Sequence, residues 1–119
     1  MYSKIERAME IEQLTPAFLR ENPTTPFVAI LAYIQANFSY TPQSFQNGTK
    51  LNLASENQGS AKVLFFAKQA NWSAEDTLLL FAEHYQDVVQ NPTGTSHENI
   101  RQFIQNGWEG VKFDGNVLS

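Results

Sequence analysis

The chain has 119 residues and no cysteine. Disulfide bonds, thiolate metal ligands and a cysteine nucleophile are therefore excluded together, so packing and hydrogen bonds must hold the fold. Long apolar runs are absent as well, because the longest mainly apolar segment, residues 26–34, is shorter than the roughly 20 residues that span a bilayer. The first residues include acids and lack the apolar stretch of a secretory signal. We therefore expect a cytoplasmic protein that does not bind membranes.

Positive charge is also scarce. The chain has 8 Lys and Arg residues against 12 Asp and Glu residues, which gives a formal net charge of −4 at pH 7. Because nucleic acids and anionic membranes attract clustered positive charge, neither is an expected partner. Apolar residues are plentiful in contrast, since 42% of the chain is hydrophobic and 9 residues are Phe. This is enough apolar material for one core, and we expect a single domain over residues 1–119.

Helical patterns cover most of the chain. Apolar residues recur at helical spacing, and Ser or Thr residues in capping positions mark where helices begin. A helical turn is predicted after Thr15, and longer helices are predicted to begin at Ser3, Thr25, Ser60, Ser73 and Thr95. Residues 1–24 are thus predicted as an N-terminal helical segment. The helix over residues 60–71 is apolar around most of its circumference, so we expect it at the centre of the fold.

The middle of the chain is polar and rich in turns. Asn47 and Gly48 form a strong turn signal, and the apolar residues around them predict two short strands within residues 40–53. The segment 109–117 contains an Asp-Gly turn and can add a hairpin or a strand. The predicted fold class is therefore mostly α (α+β), a compact domain of about four to five helices with a small β-hairpin or short sheet.

A polar cluster begins the last predicted helix. His97 is followed closely by Asn99 and Arg101. In a functional interpretation His97 is a general base, because imidazole titrates near neutral pH, and Arg101 binds an anionic group. In the structural interpretation, which we favour, His97 and Asn99 satisfy backbone groups at the helix start and in the preceding loop.

The two histidines could also form a metal pair. Separate helices could bring His84 and His97 together, and Glu83, Asp87 or Glu98 could complete the site. Two histidines without a fixed carboxylate spacing are a weak signal for a metal ion. We therefore expect neither a metal ion nor a cofactor.

The Asn-rich turns have two interpretations as well. Asn47, Asn57 and Ser60 suit turns, because Asn tolerates left-handed backbone and bonds to its own chain. Alternatively, these groups could line a polar pocket together with Tyr40 and Tyr85. Turn formation is the interpretation that we favour.

Trp108 is flanked by glycine on both sides, at Gly107 and Gly110. A tryptophan in such a position usually packs into the core and bonds its indole N–H at the rim, and we favour this role. The alternative is a partner-binding anchor, because exposed tryptophan is enriched where proteins bind one another.

Three segments carry short motifs in a recognisable order. They read NFSYTPQSFQNG at residues 37–48, NQGSAKVLFFA at 57–67 and NPTGTSHENIRQFIQNGWEGVKFDG at 91–115. These motifs resemble those of the HopJ type III effector family, and the resemblance spans the chain from about residue 26 onward. In the first two segments the matching positions are Tyr40, Thr41, Pro42, Phe45, Asn47, Gly48, Asn57, Gly59 and Ser60. In the last segment they are Pro92, Gly94, Thr95, His97, Asn99, Ile100, Arg101, Gly107, Trp108, Gly110 and Phe113.

The resemblance implies a small bacterial effector-like protein. The family is named for a protein attributed to type III secretion in plant-pathogenic bacteria, although similar chains occur in other bacteria, so export through a type III system is an expectation. No enzymatic activity or cofactor carries over from the family. We therefore expect a protein that acts by binding a protein partner, with an unknown oligomeric state. The alternative is a small enzyme or ligand-binding protein with a polar site around His97, Asn99 and Arg101.

Overall fold

Six α-helices and a three-stranded sheet build residues 11–119, the part of the chain that this computed structural model describes. In chain order the elements are α1 (Pro16–Glu21), α2 (Phe27–Asn37), β1 (Phe45–Asn47), β2 (Lys50–Asn52), α3 (Gln58–Gln69), α4 (Ala74–Leu78), α5 (Glu83–Gln90), α6 (Glu98–Asn106) and β3 (Val111–Phe113). Two 3₁₀ turns, Leu79–Phe81 and Gly107–Gly110, follow α4 and α6. The predicted fold class is confirmed. The helix predicted to begin at Ser3 lies outside the described residues.

Helix α3 lies in the core, as its apolar circumference predicts. Its buried residues are Ala61, Val63, Leu64, Phe66 and Ala67. The helix packs against α2, α4 and the first 3₁₀ turn, where Leu80 and Phe81 are also buried. Because burial of one Leu or Phe side chain contributes about 1.5–3 kcal/mol relative to exposure, this helix supplies a large share of the hydrophobic stabilisation.

Helix α1 begins as its Thr-Pro signal predicts. Thr15 Oγ1 accepts a hydrogen bond from the Phe18 N–H at 3.0 Å, and Pro16 occupies the first helical position. Proline suits that position, because its missing N–H would have no partner inside the helix. The sequence signal and the cap observed in the structure therefore agree.

Two other helix starts differ from their predictions. Helix α3 begins before the predicted cap Ser60, and helix α6 begins after the predicted cap Thr95. The residues that precede these helices, Asn57 and His97, have left-handed backbones with φ of 49° and 55°. A backbone turn therefore starts each helix, because Asn and His tolerate positive φ better than most residues. His97 thus occupies the cap position rather than the first turn.

The single helix predicted over residues 73–89 is wrong, because the structure divides it into α4 and α5. The break is at Ala82, whose φ of 52° and ψ of −125° no helix allows. Neither Gly nor Pro marks this position in the sequence. The break lets the preceding 3₁₀ turn bury Phe81, which is 1% exposed, and lets a new helix begin in another direction. Tertiary burial overrides the local helical pattern here.

The strands form a sheet of order β2-β1-β3, antiparallel throughout. Gly48, with φ of 60°, makes the turn between β1 and β2 that the Asn-Gly signal predicts. The segment 109–117 contributes β3, which pairs with β1 rather than forming a separate hairpin. In this register Phe45, Asn47 and Asn52 face the interior, and each is 0% exposed. Two of the three are polar, which makes this face of the sheet unusual for a core.

Candidate functional site

Four helices begin around one cleft of about 360 Å³. Helices α2, α3, α5 and α6 each contribute their first residues or their cap to its lining. The aromatic side chains that line it are Phe27, Phe81, His84 and His97. The polar side chains that line it are Lys50, Asn57, Ser60, Glu98 and Asn99. Cavities of roughly 300–1,000 Å³ are the usual size of small-molecule sites, so the cleft can hold a ligand.

The starts of α3 and α6 lack a side-chain cap. Asn57 and His97 occupy the cap positions, and neither makes a capping side-chain hydrogen bond. The first N–H groups of a helix carry partial positive charge and need acceptors. Both helices therefore bring hydrogen-bond donors to the cleft.

The start of α2 is satisfied from another helix. The Phe27 N–H donates to Glu83 Oε1 at 2.8 Å, which joins the starts of α2 and α5. Burial of the Glu83 carboxyl acts to raise its pKa, but three effects outweigh it: the hydrogen bond from Phe27, the bond from its own backbone N–H, and the charge of nearby His84. The pKa of Glu83 therefore lies below its ordinary value, and the ionised carboxylate is the form that holds the two helices together.

A network of four asparagine side chains extends from the cleft into the core. Asn99 and Asn52 form a reciprocal amide pair, in which Asn99 Nδ2 donates at 2.9 Å and Asn52 Nδ2 donates back at 3.1 Å. Asn57 Nδ2 donates to Asn52 Oδ1 at 2.7 Å, and Asn47 Nδ2 also bonds to Asn99. The four residues belong to β1, β2, the cap of α3 and the first turn of α6. The network therefore fixes two helix starts to the sheet.

Burial makes this network costly to disturb. Asn47 and Asn52 are 0% exposed and Asn99 is 5% exposed. Buried amides are stable only when they are hydrogen-bonded, and bonds in a low-dielectric interior are stronger than in water. Asn47 Oδ1 is the exception, because it is buried without a partner among the described residues.

The two histidines lie side by side at the cleft. Their ring centroids are 5.1 Å apart, and His97 Nε2 lies 3.0 Å from Asp87 Oδ2. The His84 ring packs at 71° to Phe27, with centroids 4.9 Å apart. Among residues 11–119 no group of three or more His, Cys, Asp or Glu residues is placed to hold a metal ion. The two histidines therefore offer aromatic rings and ring nitrogens to the cleft, and His97 has a carboxylate partner in Asp87.

Charged side chains at the cleft lie next to groups of opposite charge. Lys50 Nζ lies 3.6 Å from Glu98 Oε1, and both residues line the cleft. Asp87 Oδ2 lies 3.0 Å from His97 Nε2, a contact that is an ion pair only when the imidazole is protonated. The cleft thus has no excess of positive charge, which sets it apart from a site for a polyphosphate.

The comparison with protein families gives a match over almost the whole chain. Residues 11–118 match the family described as HopJ type III effector protein. The chain belongs to the HopJ family. A crystal structure described as that of unknown function protein VPA0580 is similar to this HopJ-family protein, with a TM-score of 0.81 and 34% sequence identity over 92% of this chain and 95% of the other. No curated protein matches the sequence.

The cleft of this HopJ-family protein brings together part of the predicted polar site. Asn57, His97 and Asn99 line it, and Asn47 lies in the network that supports it. His84, which the sequence suggested only as half of a metal pair, lines it as well. These residues come from segments that are far apart in the sequence, and the fold places them together.

Arg101 lies apart from the cleft. Its Nε donates to the Ser96 carbonyl, and its Nη1 donates to the Pro92 carbonyl at 3.3 Å. The guanidinium therefore holds the loop before α6 rather than facing the cavity. Its role is to support the backbone turn at His97. The favoured structural interpretation of His97 and Asn99 differs from what is seen, because their side chains bond to Asp87 and to Asn52 rather than to backbone groups.

The two predicted tyrosines also lie elsewhere. Tyr85 lines a second pocket of about 270 Å³. The Tyr40 hydroxyl donates to Gln58 Oε1 at 2.9 Å, and burial raises the pKa of that hydroxyl. The Lys62 Nζ lies 4.5 Å from the centroid of the Tyr40 ring, a cation–π contact. Neither tyrosine belongs to the lining of the cleft.

Trp108 has the packing role that its sequence context favours. Its indole Nε1–H donates to the Trp72 carbonyl at 2.9 Å, and its ring packs edge-on against Phe103. The side chain is partly buried. Its indole N–H is hydrogen-bonded within the protein and is therefore not available to a partner.

Sequence analysis missed Phe27, Phe81 and Lys50 as lining residues and Asn52 as part of the network. Both phenylalanines fit the apolar stripes of helices, and periodicity alone does not distinguish a core position from a pocket wall. Asn52 looks like any polar residue of a short strand, because which face is buried depends on tertiary packing. The sequence signal that could have located the cleft was the set of predicted helix starts at Thr25, Ser60 and Thr95. Only the fold shows that these helix starts lie close together.

Proposed function

We propose that this HopJ-family protein acts by binding a small polar ligand in the cleft lined by His84 and His97. The observation that carries the proposal is the cavity itself, a hollow of about 360 Å³ at which four helices begin. A binding site needs polar groups held in place by a rigid frame. Here the buried asparagine network and the hydrogen bond between Phe27 and Glu83 supply that frame.

Binding is better supported than catalysis. The pairing of His97 with Asp87 resembles a general base and its orienting carboxylate, which is the feature in favour of an enzyme. The anion-binding partner that the enzyme alternative requires is Arg101, and its hydrogen bonds go to loop carbonyls. The cleft therefore offers recognition groups without the charged partner that the sequence suggested for a reaction.

A fragment screen by two-dimensional NMR tests the proposal. Chemically varied small polar fragments are expected to shift the backbone amides of residues 57–60 and 97–100. The double variant H84A/H97A is expected to abolish these shifts, whereas Ile104→Ala, at an exposed position of α6, is expected to retain them. A screen without hits in the cleft, or with hits that the double variant binds equally well, would overturn the proposal.

A protein partner is the second candidate, and one observation favours it. Leu51 in β2 and Leu53 just after it are 58% and 53% exposed. Residues two apart on a strand point to the same side, and β2 is an edge strand of the sheet. Exposed apolar side chains on an edge strand suit contact with another protein.

Photo-cross-linking tests this second candidate. A photoreactive residue at position 51 is expected to capture a discrete partner in cells that produce the protein, and the same residue at exposed position 89 serves as the control. The captured band is expected to disappear when Leu53 is replaced by Ser. Capture that is equal at both positions would contradict a partner specific to this strand.

Export through a type III system is proposed for this chain from its family description, HopJ type III effector protein. Among the described helices, none is long and apolar enough to span a membrane. A reporter fused to the chain is expected to leave bacteria that have a working type III apparatus and to stay inside a matched strain without one. Equal release from both strains would contradict this route.

A further inference from the structure

We infer that the ligand of the cleft is a small aromatic carboxylate, a planar ring system that carries one carboxylate group. This inference rests on the proposed function, since it names the ligand class of the same cleft. Three properties of the lining support it: a row of aromatic rings, a set of hydrogen-bond donors, and the lack of excess positive charge, which disfavours ligands with more than one negative group.

The aromatic residues form a continuous row along the cleft. The centroids of Phe81 and Phe27 are 6.3 Å apart with nearly parallel rings, and those of Phe27 and His84 are 4.9 Å apart. The row ends with His97, whose centroid is 5.1 Å from that of His84. Aromatic rings attract one another at centroid separations of about 4.5–7 Å in offset or edge-on arrangements. A planar ligand ring can extend this row, whereas a saturated ring of similar size gains only from apolar burial.

The polar groups at the cleft include hydrogen-bond donors that can reach a ligand. Asn99 lines the cleft at 5% exposure, and of the two hydrogens on its Nδ2 one is donated, to Asn52, among the described residues. The starts of α3 and α6 add backbone N–H groups without a side-chain cap. A buried donor without an acceptor is unfavourable, so an oxygen of the ligand would stabilise it. A carboxylate is an acceptor at both of its oxygens and donates nothing, which matches this set.

The charges at the cleft limit the ligand to one negative group. Lys50 is the lysine that lines the cleft, and it is already opposed by Glu98 at 3.6 Å. His97 faces Asp87. A phosphate ester or a polyphosphate would bring two or more negative charges close to these acids, which is repulsive. A cavity of about 360 Å³ holds one or two fused rings with a carboxylate attached.

NMR titrations with three matched probes separate the contributions of the ring and the charge. Benzoate has both, benzamide keeps the ring without the charge, and cyclohexanecarboxylate keeps the charge without the aromatic ring. Because charge-assisted hydrogen bonds and aromatic contacts each stabilise the complex, benzoate is expected to bind about tenfold more tightly than either control. Its shifts are expected at residues 57–60 and 97–100. Inorganic phosphate is expected to cause no shifts there.

Variants test the same assignment. Phe27→Leu keeps an apolar side chain and removes a ring of the row. It is therefore expected to weaken the binding of benzoate severalfold and to leave the binding of cyclohexanecarboxylate unchanged. His84→Leu is the second variant, for use if Phe27→Leu does not fold as judged by circular dichroism. Ile104→Ala, outside the cleft, is expected to bind benzoate as the parent does.

The outcomes distinguish the ligand class from the binding function. The inferred ligand class is wrong if other fragments bind in the cleft but benzoate does not, or if benzoate binds no better than the two controls. In either case the proposed binding function stands. If no fragment of any class binds in the cleft, both proposals fail. Benzoate shifts confined to the second pocket near Tyr85 would also overturn this inference.

Discussion

Asn47 holds Asn99 by two hydrogen bonds, because its Nδ2 donates to the Asn99 backbone carbonyl at 2.8 Å and to the Asn99 Oδ1 at 2.9 Å. Asn47 belongs to β1 and Asn99 to the first turn of α6. The contact therefore fixes the direction in which α6 leaves the cleft. Since Asn99 also lines the cavity, the stability of the core and the shape of the site depend on the same amide.

Replacement of Asn99 by Ala is expected to destabilise the fold by at least about 2 kcal/mol, because each buried polar group left without its partner costs about 1–3 kcal/mol. The change removes Asn99 Oδ1, which accepts from the side-chain amides of Asn47 and Asn52, and the amide that donates to Asn52 Oδ1, while the bond from Asn47 to the Asn99 backbone carbonyl remains. Urea denaturation followed by circular dichroism measures the free energy of unfolding. The control is Gln105→Ala at an exposed position of the same helix, expected to stay within about 0.5 kcal/mol of the parent. Equal effects of the two changes would contradict a stabilising network.

Replacement of Ala82 by Gly is expected to stabilise the protein. The backbone at Ala82, with φ of 52° and ψ of −125°, is one that glycine adopts without strain and alanine does not. The strain relieved is about 1–3 kcal/mol, and the greater freedom of glycine in the unfolded chain offsets part of it, which leaves a net gain of about 0.5–1 kcal/mol. The midpoint of thermal unfolding measures this gain.

The control for this change is Ala32→Gly, at an exposed position in the middle of α2. There the same substitution is expected to destabilise by about 1 kcal/mol, because glycine is a poor helix former. Opposite signs at the two positions would establish that the break before α5 is strained. A loss of stability at both would show that Ala82 tolerates its conformation without cost.

Glu83 is expected to make stability depend on acid pH. The pKa of its carboxyl in the folded protein is below the ordinary value, since the hydrogen bond from the Phe27 N–H and the other favourable contacts outweigh the effect of burial. A group with a lowered pKa stabilises the fold fully above its unfolded pKa, and this contribution is lost as the pH falls through the folded pKa. Thermal unfolding of the parent and Glu83→Gln is therefore expected to differ at pH 7 and to converge towards pH 3. The control is Glu109→Gln, at an exposed glutamate, and an unchanged difference at both pH values would contradict this account.

Replacement of Arg101 by Met is expected to loosen the loop before α6. Methionine keeps the length of the stem but donates no hydrogen bond to the carbonyls of Ser96 and Pro92. Hydrogen exchange is expected to become faster at residues 93–98, while global stability falls by about 1 kcal/mol, the usual net value of such bonds. Lys112→Met, at an exposed position of β3, is the control and is expected to leave exchange in the loop unchanged. Unchanged exchange in the Arg101 variant would show that the loop is held by other contacts.

The fold was predictable where local chemistry decides it. The Thr15-Pro16 cap, the turn at Gly48 and the apolar circumference of α3 depend on residues close together in sequence, and the structure confirms each. The break at Ala82 was not predictable, because an alanine carries no local signal for positive φ. Burial of Phe81 and the contact of Glu83 with α2 favour the break, and both depend on distant parts of the chain.

Some polar residues of the candidate site were predictable, but the full set of residues that line it was not. His97, Asn57 and Asn99 drew attention because they are polar residues in turn-rich segments, and all three line the cleft. Arg101 was included for its charge, but its hydrogen bonds serve the local loop. Phe27 and Lys50 join the site through the packing of α2 and β2, which no short stretch of the sequence specifies.

The turn after β1 also has a consequence for chemical ageing. Deamidation at an Asn-Gly step begins when the glycine nitrogen attacks the asparagine side-chain carbonyl and closes an imide ring. In the folded protein the Gly48 N–H donates to the Gly110 carbonyl at 2.9 Å, and Asn99 holds the Asn47 side chain. Ring closure therefore requires the turn to open first. The fraction of aspartate and isoaspartate found at position 47 in an aged sample should consequently record how long this turn has been open.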